Sequence, residues 1–265
     1  MKHLKSLVFA SAMAFLATVS TASAYNITIY DLQGTNGSGQ GNEDGETEPG
    51  TLPGQEWDFE AFDMRGTTLT LYSGFNILSG QSPYRMGDIF IDVDGDAIWA
   101  PGTDPSANGG ITSNALFKFD YVVHFKTRVG DHGIQGDYEI LKIGDSTNLR
   151  RTKFKSQSNP FVFDSGEIAT VGTGSVSVSS DASSTITLHD GTQVTGGSNA
   201  KPHFIMSIDL GAISGIANHG TLFHLTQECG NDLIVGRVSD TGSALALLGA
   251  AMTGVSMFVR RSRKS

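Results

Sequence analysis

From residue 57 to residue 226 the chain is broken into short β-branched and aromatic runs by clusters of Gly, Asn, Asp and Ser, and no run carries a sustained 3.6-residue period. Strands are therefore the main regular element this body can build. The runs lie at 57–63 (WDFEAFD), 67–72, 88–93 (DIFIDV), 116–127 (LFKFDYVVHFKT), 136–143, 161–163, 175–179, 184–189, 203–209 and 220–226, with YNITIYDL at 25–32 ahead of them. Residues 209–218 have room for one helical turn. Parallel pairing needs a crossover of a dozen residues or more, commonly a helix, so the pattern predicts an all-β fold, an antiparallel two-sheet β-sandwich. The Gly-, Ser- and Thr-rich stretch 166–197 is expected to form exposed edge hairpins or a weakly ordered excursion. Residues 33–55 hold seven glycines, four acids and two prolines. Too little there can be buried to offset the entropy of ordering, which predicts a flexible acidic loop.

Both ends read as handling signals. At the front, Lys2 and Lys5 precede an apolar stretch from Leu7 to Val19, then small residues at Ala22 and Ala24. This order predicts a signal peptide over 1–24, helical in its apolar part, engaged by the general secretion machinery and cut by signal peptidase between Ala24 and Tyr25. At the back, 244–259 is sixteen residues without a charge. As a helix it would reach roughly 24 Å, slightly less than the ~30 Å hydrocarbon core, so it can just span. Arg260, Arg261, Arg263 and Lys264 follow and would hold that end on the cytoplasmic side as a membrane stop. The domain reading is thus 1–24, a sandwich body over 25–239, and a tail over 240–265 containing the transmembrane helix.

Taken over 25–239, the body keeps 12 bases against 26 acids, a net charge of −14 compared with −9 for the whole chain. Such an excess repels nucleic acid. Cys229 is the sole cysteine, so no internal disulfide can form; it reads as a small buried hydrophobe in a strand.

The strongest metal candidate is DIFIDVDGD at 88–96, where Asp92, Asp94 and Asp96 alternate and Gly95 permits a sharp bend. Calcium takes six to eight hard oxygens, which clustered aspartates supply. The spacing is not that of an EF-hand, and the loop is completed by Asp104 in the calcium reading; in the other, the same aspartates form a solvated hairpin turn. No histidine set has a zinc pattern. His224 and Cys229 are five apart, which along a strand puts them on opposite faces. The pairs Asp58 with Glu60 and Asp137 with Glu139 share a strand face, a spacing suited to acid–base work but common by chance among so many acids. Trp57, Phe59, Tyr72, Phe75, Tyr84 and Trp99 could build a platform for sugars, with Trp99, beside a Pro-Gly turn, the foremost glycan contact. Core packing is the competing use of the same rings.

The tail carries a resemblance. Residues 238–248 read VSDTGSALALL, and with the apolar run and the arginines they resemble the C-terminal sorting tails of exosortase-processed bacterial proteins, the PEP-CTERM group, and most closely its Val-Pro-Asp-Ser-Gly variant. The motif is Val238, Ser239, Asp240, Thr241 and Gly242, with Ser239 where proline is usual and Thr241 where serine is. Upstream, LFHLTQECGND at 222–232 is similar to the stretch that often precedes such tails, and SPYRMGDIFIDVDGD is similar to a run in other surface proteins sorted this way. The resemblance implies a transient inner-membrane anchor, recognition by an exosortase-like membrane enzyme, cleavage near the motif, and delivery to the cell surface or extracellular matrix, where exopolysaccharide is the usual setting. Two other readings stand beside a matrix or adhesive protein: a secreted carboxylate-dependent polysaccharide hydrolase, and a permanently anchored structural protein.

Overall fold

In residues 68–73, Leu69 and Leu71 face the protein interior while Thr68, Thr70 and Tyr72 face the other way, the period-two pattern a strand requires. The same logic repeats through the body. The computed structural model describes residues 52, 54–98, 104–126, 133–134, 136–216 and 220–237, and the backbone of 26–30 and 128–129.

The strands, in chain order, are β1 (Asn26–Tyr30), β2 (Phe59–Arg65), β3 (Thr68–Ser73), β4 (Ile89–Asp92), β5 (Ile111–Ser113), β6 (Tyr121–Phe125), β7 (Arg128–Val129), β8 (Gly133–Ile134) and β9 (Gly136–Ile143). They continue with β10 (Asn148–Arg150), β11 (Val162–Ser165), β12 (Ile168–Val176), β13 (Val178–Asp181), β14 (Thr185–Thr187), β15 (Gln193–Thr195), β16 (His203–Asp209), β17 (Leu222–Thr226) and β18 (Leu233–Arg237). Two large antiparallel sheets result: five strands in the order β1-β2-β3-β16-β13, and six in the order β12-β9-β6-β4-β17-β18. The fold is sandwich-like, as the strand pattern predicts.

Between the sheets lies the main core. Phe59, Phe62, Leu69, Leu71 and Met206 come from the five-stranded sheet, and Ile89, Ile91, Val123, Ile140, Phe223 and Leu225 from the other. Each such side chain removed from water contributes about 1.5–3 kcal/mol, the main drive for closing the sandwich.

Both sheets are covered on their outer faces as well. A three-stranded sheet, β11-β10-β5, and the segment around Phe117 and Phe119 cover Phe90, Val122 and Leu141 of the six-stranded sheet. The β14–β15 hairpin sets Leu188 and Val194 against Ala61 of the five-stranded sheet.

Several details depart from the sequence pattern. The run 116–127 is not one strand: a single 3-10 turn (Asn114–Leu116) precedes β6, with Phe117 and Phe119 buried before it. Of the loop expected over 33–55, residues 33–51 and 53 lie outside the described residues, and at its end Gln55 is already buried and opens a 3-10 turn ending at Trp57. Stretch 166–197 contains the nine-residue edge strand β12, largely exposed and paired along β9, besides the hairpin. No described helix is long and apolar enough to cross a membrane. The expected signal helix, the span at 244–259 and the basic stop lie outside the described residues.

Candidate functional site

Two places bring chemistry-bearing side chains together. The first is the turn after β4. Asp92 is fully buried; its Oδ1 accepts the Gly95 N–H (2.8 Å), and its Oδ2 accepts the Ala97 N–H (3.2 Å) and a bond from Arg237 Nη1 (3.3 Å). Gly95 has φ 86°, a left-handed value that other residues resist, so the bend there depends on glycine. One carboxylate oxygen each of Asp92, Asp94 and Asp96 lies within 4.8 Å of the others.

Asp120, just ahead of β6, stands against them and accepts the Val93 N–H (2.8 Å). Burial first, then the charges of Asp94 and Asp92, hold the Asp120 carboxyl above the ordinary range. Burial and then Asp94 act in the same direction on Asp96. Four acids thus repel one another here, with one guanidinium, from Arg237, on Asp92. That is the electrostatic state a hard cation relieves, although a calcium ion would need backbone or water oxygens besides. Asp104, the fourth ligand in the sequence reading, is placed elsewhere. It is buried under Arg151, whose Nε donates to it, and it accepts the Ser106 N–H (3.1 Å). Burial alone would raise its pKa, but Arg151 and Ser106 outweigh burial and lower it.

The paired carboxylates take different partners, although Asp137 and Glu139, alternating with buried Tyr138 and Ile140, do share a face of β9. Glu60 is an extra residue in β2, since Phe59 pairs with Ser73 and Ala61 already with Tyr72. It turns to His203, whose Nδ1 lies 2.6 and 2.8 Å from its two oxygens, and it also takes a bond from Gln55 Nε2. Asp58 is buried. Asp137 accepts from Ser175 Oγ (2.8 Å), and Glu139 pairs with Lys126. A cleft of about 430 Å³ beside Tyr138, Gly172 and Gly174 has one carboxylate in its lining, Asp209, which accepts from Thr67 Oγ1 (2.9 Å).

The remaining histidines and the cysteine are structural in their contacts. His124 Nδ1 meets Asp88 (2.8 Å), and His189 pairs with Asp63. His224 is packed against Phe119 and Phe90, with ring centroids 5.6 and 6.0 Å away, and burial pushes its pKa down to about 3. Cys229 is buried as expected, but in the turn between β17 and β18 rather than in a strand. Burial raises its thiol to about 11, so it carries no thiolate at neutral pH. His132 and His219 lie outside the described residues.

The second place is aromatic. Phe59 and Phe75 are core residues, and Tyr72 packs beneath the β14–β15 hairpin. Trp57 and Tyr84 instead stand 6.2 Å apart, and Phe154 meets Tyr84 edge-on at 5.9 Å. These three rings wall a pocket of about 290 Å³ whose lining also includes Leu52, Lys155 and Asn231, with Cys229 buried alongside. Phe154 is 62% exposed and Leu52 59%. Trp99, the foremost glycan contact from the sequence, lies outside the described residues, as do Ala24, Tyr25 and the motif 238–242. Phe154 and Asp120 escaped the sequence reading. The one signal for Phe154 was an aromatic between lysines in a non-periodic stretch.

No family model, curated protein or solved structure matches this chain.

Proposed function

We propose that this chain is an exported cell-surface or extracellular-matrix protein, carried out by a leader at 1–24 and processed at 238–242 by an exosortase-like membrane enzyme. Its body makes contacts, with exopolysaccharide as the favoured partner. The observation that carries the reading is the order of segments: leader, acidic β body, Val-Ser-Asp-Thr-Gly, a charge-free run, four bases. The build of the body supports it. Strand β18 ends at Arg237, one residue before Val238, and Tyr25–Val238 forms one compact unit, so a cut within 238–242 removes none of the described strands.

A polysaccharide hydrolase is the rival class. It needs two carboxyl groups facing across a cleft, about 5–5.5 or 6.5–9.5 Å apart. The linings of the two clefts described above hold a single carboxylate, Asp209, and this favours contact over hydrolysis. In the proposed role the Asp92, Asp94 and Asp96 turn holds calcium as a stabilising element.

Intact mass of the protein recovered from envelope and extracellular fractions tests the sorting. Loss of 1–24 together with the residues after the motif is expected. Retention of Arg260 to Ser265 in the mature protein would replace this reading with that of a standing membrane anchor.

A further inference from the structure

We propose that the pocket walled by Trp57, Tyr84 and Phe154 binds a sugar unit bearing a carboxylate, a uronic-acid residue of a sparsely acidic polysaccharide. This refines the glycan contact proposed above, and it rests on that reading only for the ligand's source.

The wall is a chain of rings that leads from the core to the surface. Phe59 meets Phe75 (5.6 Å), Phe75 meets Trp57 (6.4 Å), Trp57 meets Tyr84, and Tyr84 meets the exposed Phe154. Seven large hydrophobic side chains are exposed in the described residues, and two of them, Leu52 and Phe154, stand together at this one pocket. Clustered exposure of that kind marks a contact site, whereas single exposed residues do not. An aromatic face is electron-rich and suits the polarised C–H face of a pyranose.

The pocket is also held in place before any ligand arrives. The Asn231 side chain pairs with both the backbone N–H and the carbonyl of Leu52, each at 2.9 Å, and the Gln227 amide donates to the Trp57 carbonyl. A preformed site avoids the ordering cost of binding. Its volume lies near the lower end for small-molecule sites, about 300 Å³, which fits one sugar ring better than an extended chain.

Charge selects the kind of sugar. Lys155 lines the pocket, Lys153 Nζ lies 5.6 Å from the Tyr84 ring centre, and Arg85, stacked over Phe161, shares Glu228 with Lys153. Among the described residues two carboxylates stand by this group: Glu228, at 2.8 Å from Lys153 and 3.5 Å from Arg85, and Asp232, whose charge reaches Cys229 in the lining. Three cations against two anions among the described residues is a local reversal in a chain of net charge −9. That surplus acts over a Debye length of about 8 Å, enough to choose the charge of the sugar in the pocket. The acidic remainder of the body disfavours a densely charged strand such as nucleic acid.

Calorimetry on the protein purified from its native cells tests this with two probes, a hyaluronan tetrasaccharide, in which every second sugar is a uronate, and neutral cellotetraose. The uronate probe is expected to bind roughly tenfold tighter. Phe154→Ala, at an exposed position, should weaken both probes about tenfold with the melting temperature unchanged. Lys155→Gln should narrow the preference while sparing cellotetraose. Equal binding of both probes would overturn the uronate assignment and leave neutral glycan contact standing. Uronate binding untouched by Phe154→Ala would move the site elsewhere and overturn the proposal. Binding of neither probe also overturns it, and leaves the mass measurement as the separate judge of sorting.

Discussion

The outer face of the six-stranded sheet is sealed by aromatic packing: Phe90, Phe117, Phe119 and Leu141 under a small sheet. On the outer face of the five-stranded sheet, a two-stranded hairpin offers Leu188, Val194 and the half-buried Ile186 to Ala61 and Tyr72, and histidine–carboxylate pairs add to it, His189 with Asp63 and His203 with Glu60. Two of the histidines show the contrast, although His124 on the first side also pairs with a carboxylate, Asp88. His224 sits among phenylalanines on the first side and is held neutral, whereas His203 on the second is held toward the charged form. A large apolar layer excludes water by area, while a small one excludes it by fixing polar groups in specific partnerships. The polar arrangement tolerates little change in shape. A side chain at Gly197 would come within 2.3 Å of His203 Nε2 and 2.1 Å of the Ser183 carbonyl.

The largest expected effect comes from emptying the apolar side. Phe119→Ala should cost about 3–5 kcal/mol in urea unfolding, with Leu188→Ala near 2, the low end for a buried leucine. Equal losses would mean that the two layers are held alike and would break the comparison.

Next in size is a mirrored dependence on pH. Burial disfavours the His203 imidazolium, but the hydrogen bond and charge of Glu60 outweigh it, so the folded pKa is raised. The stability this provides is present in full below the unfolded value near 6.5 and is lost as pH rises through the folded value. Glu60→Gln should therefore lose about 1–3 kcal/mol near pH 6 and progressively less at higher pH. For His224 the sign is opposite. The unfolded ring takes its proton near 6.5 and the folded ring only near 3, so stability falls as pH drops through that window. His224→Phe should flatten that acid limb. Melting curves from pH 4 to 9 would read both effects, and parallel profiles for the two variants would contradict the contrast.

The smallest effect belongs to the acidic rim of the apolar layer, where the Ile98 N–H bonds the Phe117 carbonyl just beyond the aspartate turn. Calcium should raise the melting temperature by about 2–4 °C, a chelator should reverse the rise, and Asp94→Asn should remove it. A melting temperature indifferent to calcium would dismiss the metal role of this turn.

The sandwich was legible because alternation in runs such as TLTLYS and HFIMSID states which side is buried. Strands of three residues, β5 and β10, carry too little period to be seen, and together with β11 they form the cover over Phe90. The run 116–127 misled because Phe117 and Phe119 alternate like a strand although they pack as a loop. Asp92, Asp94 and Asp96 were legible as neighbours in sequence. Asp120 was not, because only the pairing of β4 with β6 brings it near. The aromatic pocket draws on residues 57, 84, 154 and 231, separations that no local pattern encodes.

Strand β18 lies at the edge of its sheet, paired to β17 with Arg237 opposite Leu222, and Arg237 is also bonded to Asp92 and to the Gly220 carbonyl (2.8 Å). In mechanical terms, any load applied through residue 238 enters the body at that arginine. A pull along the strand must shear all five β17–β18 residue pairs together, whereas a pull across the sheet peels them one at a time, beginning with the bolted end. The body is therefore strong in one direction of tension and weak in the perpendicular one.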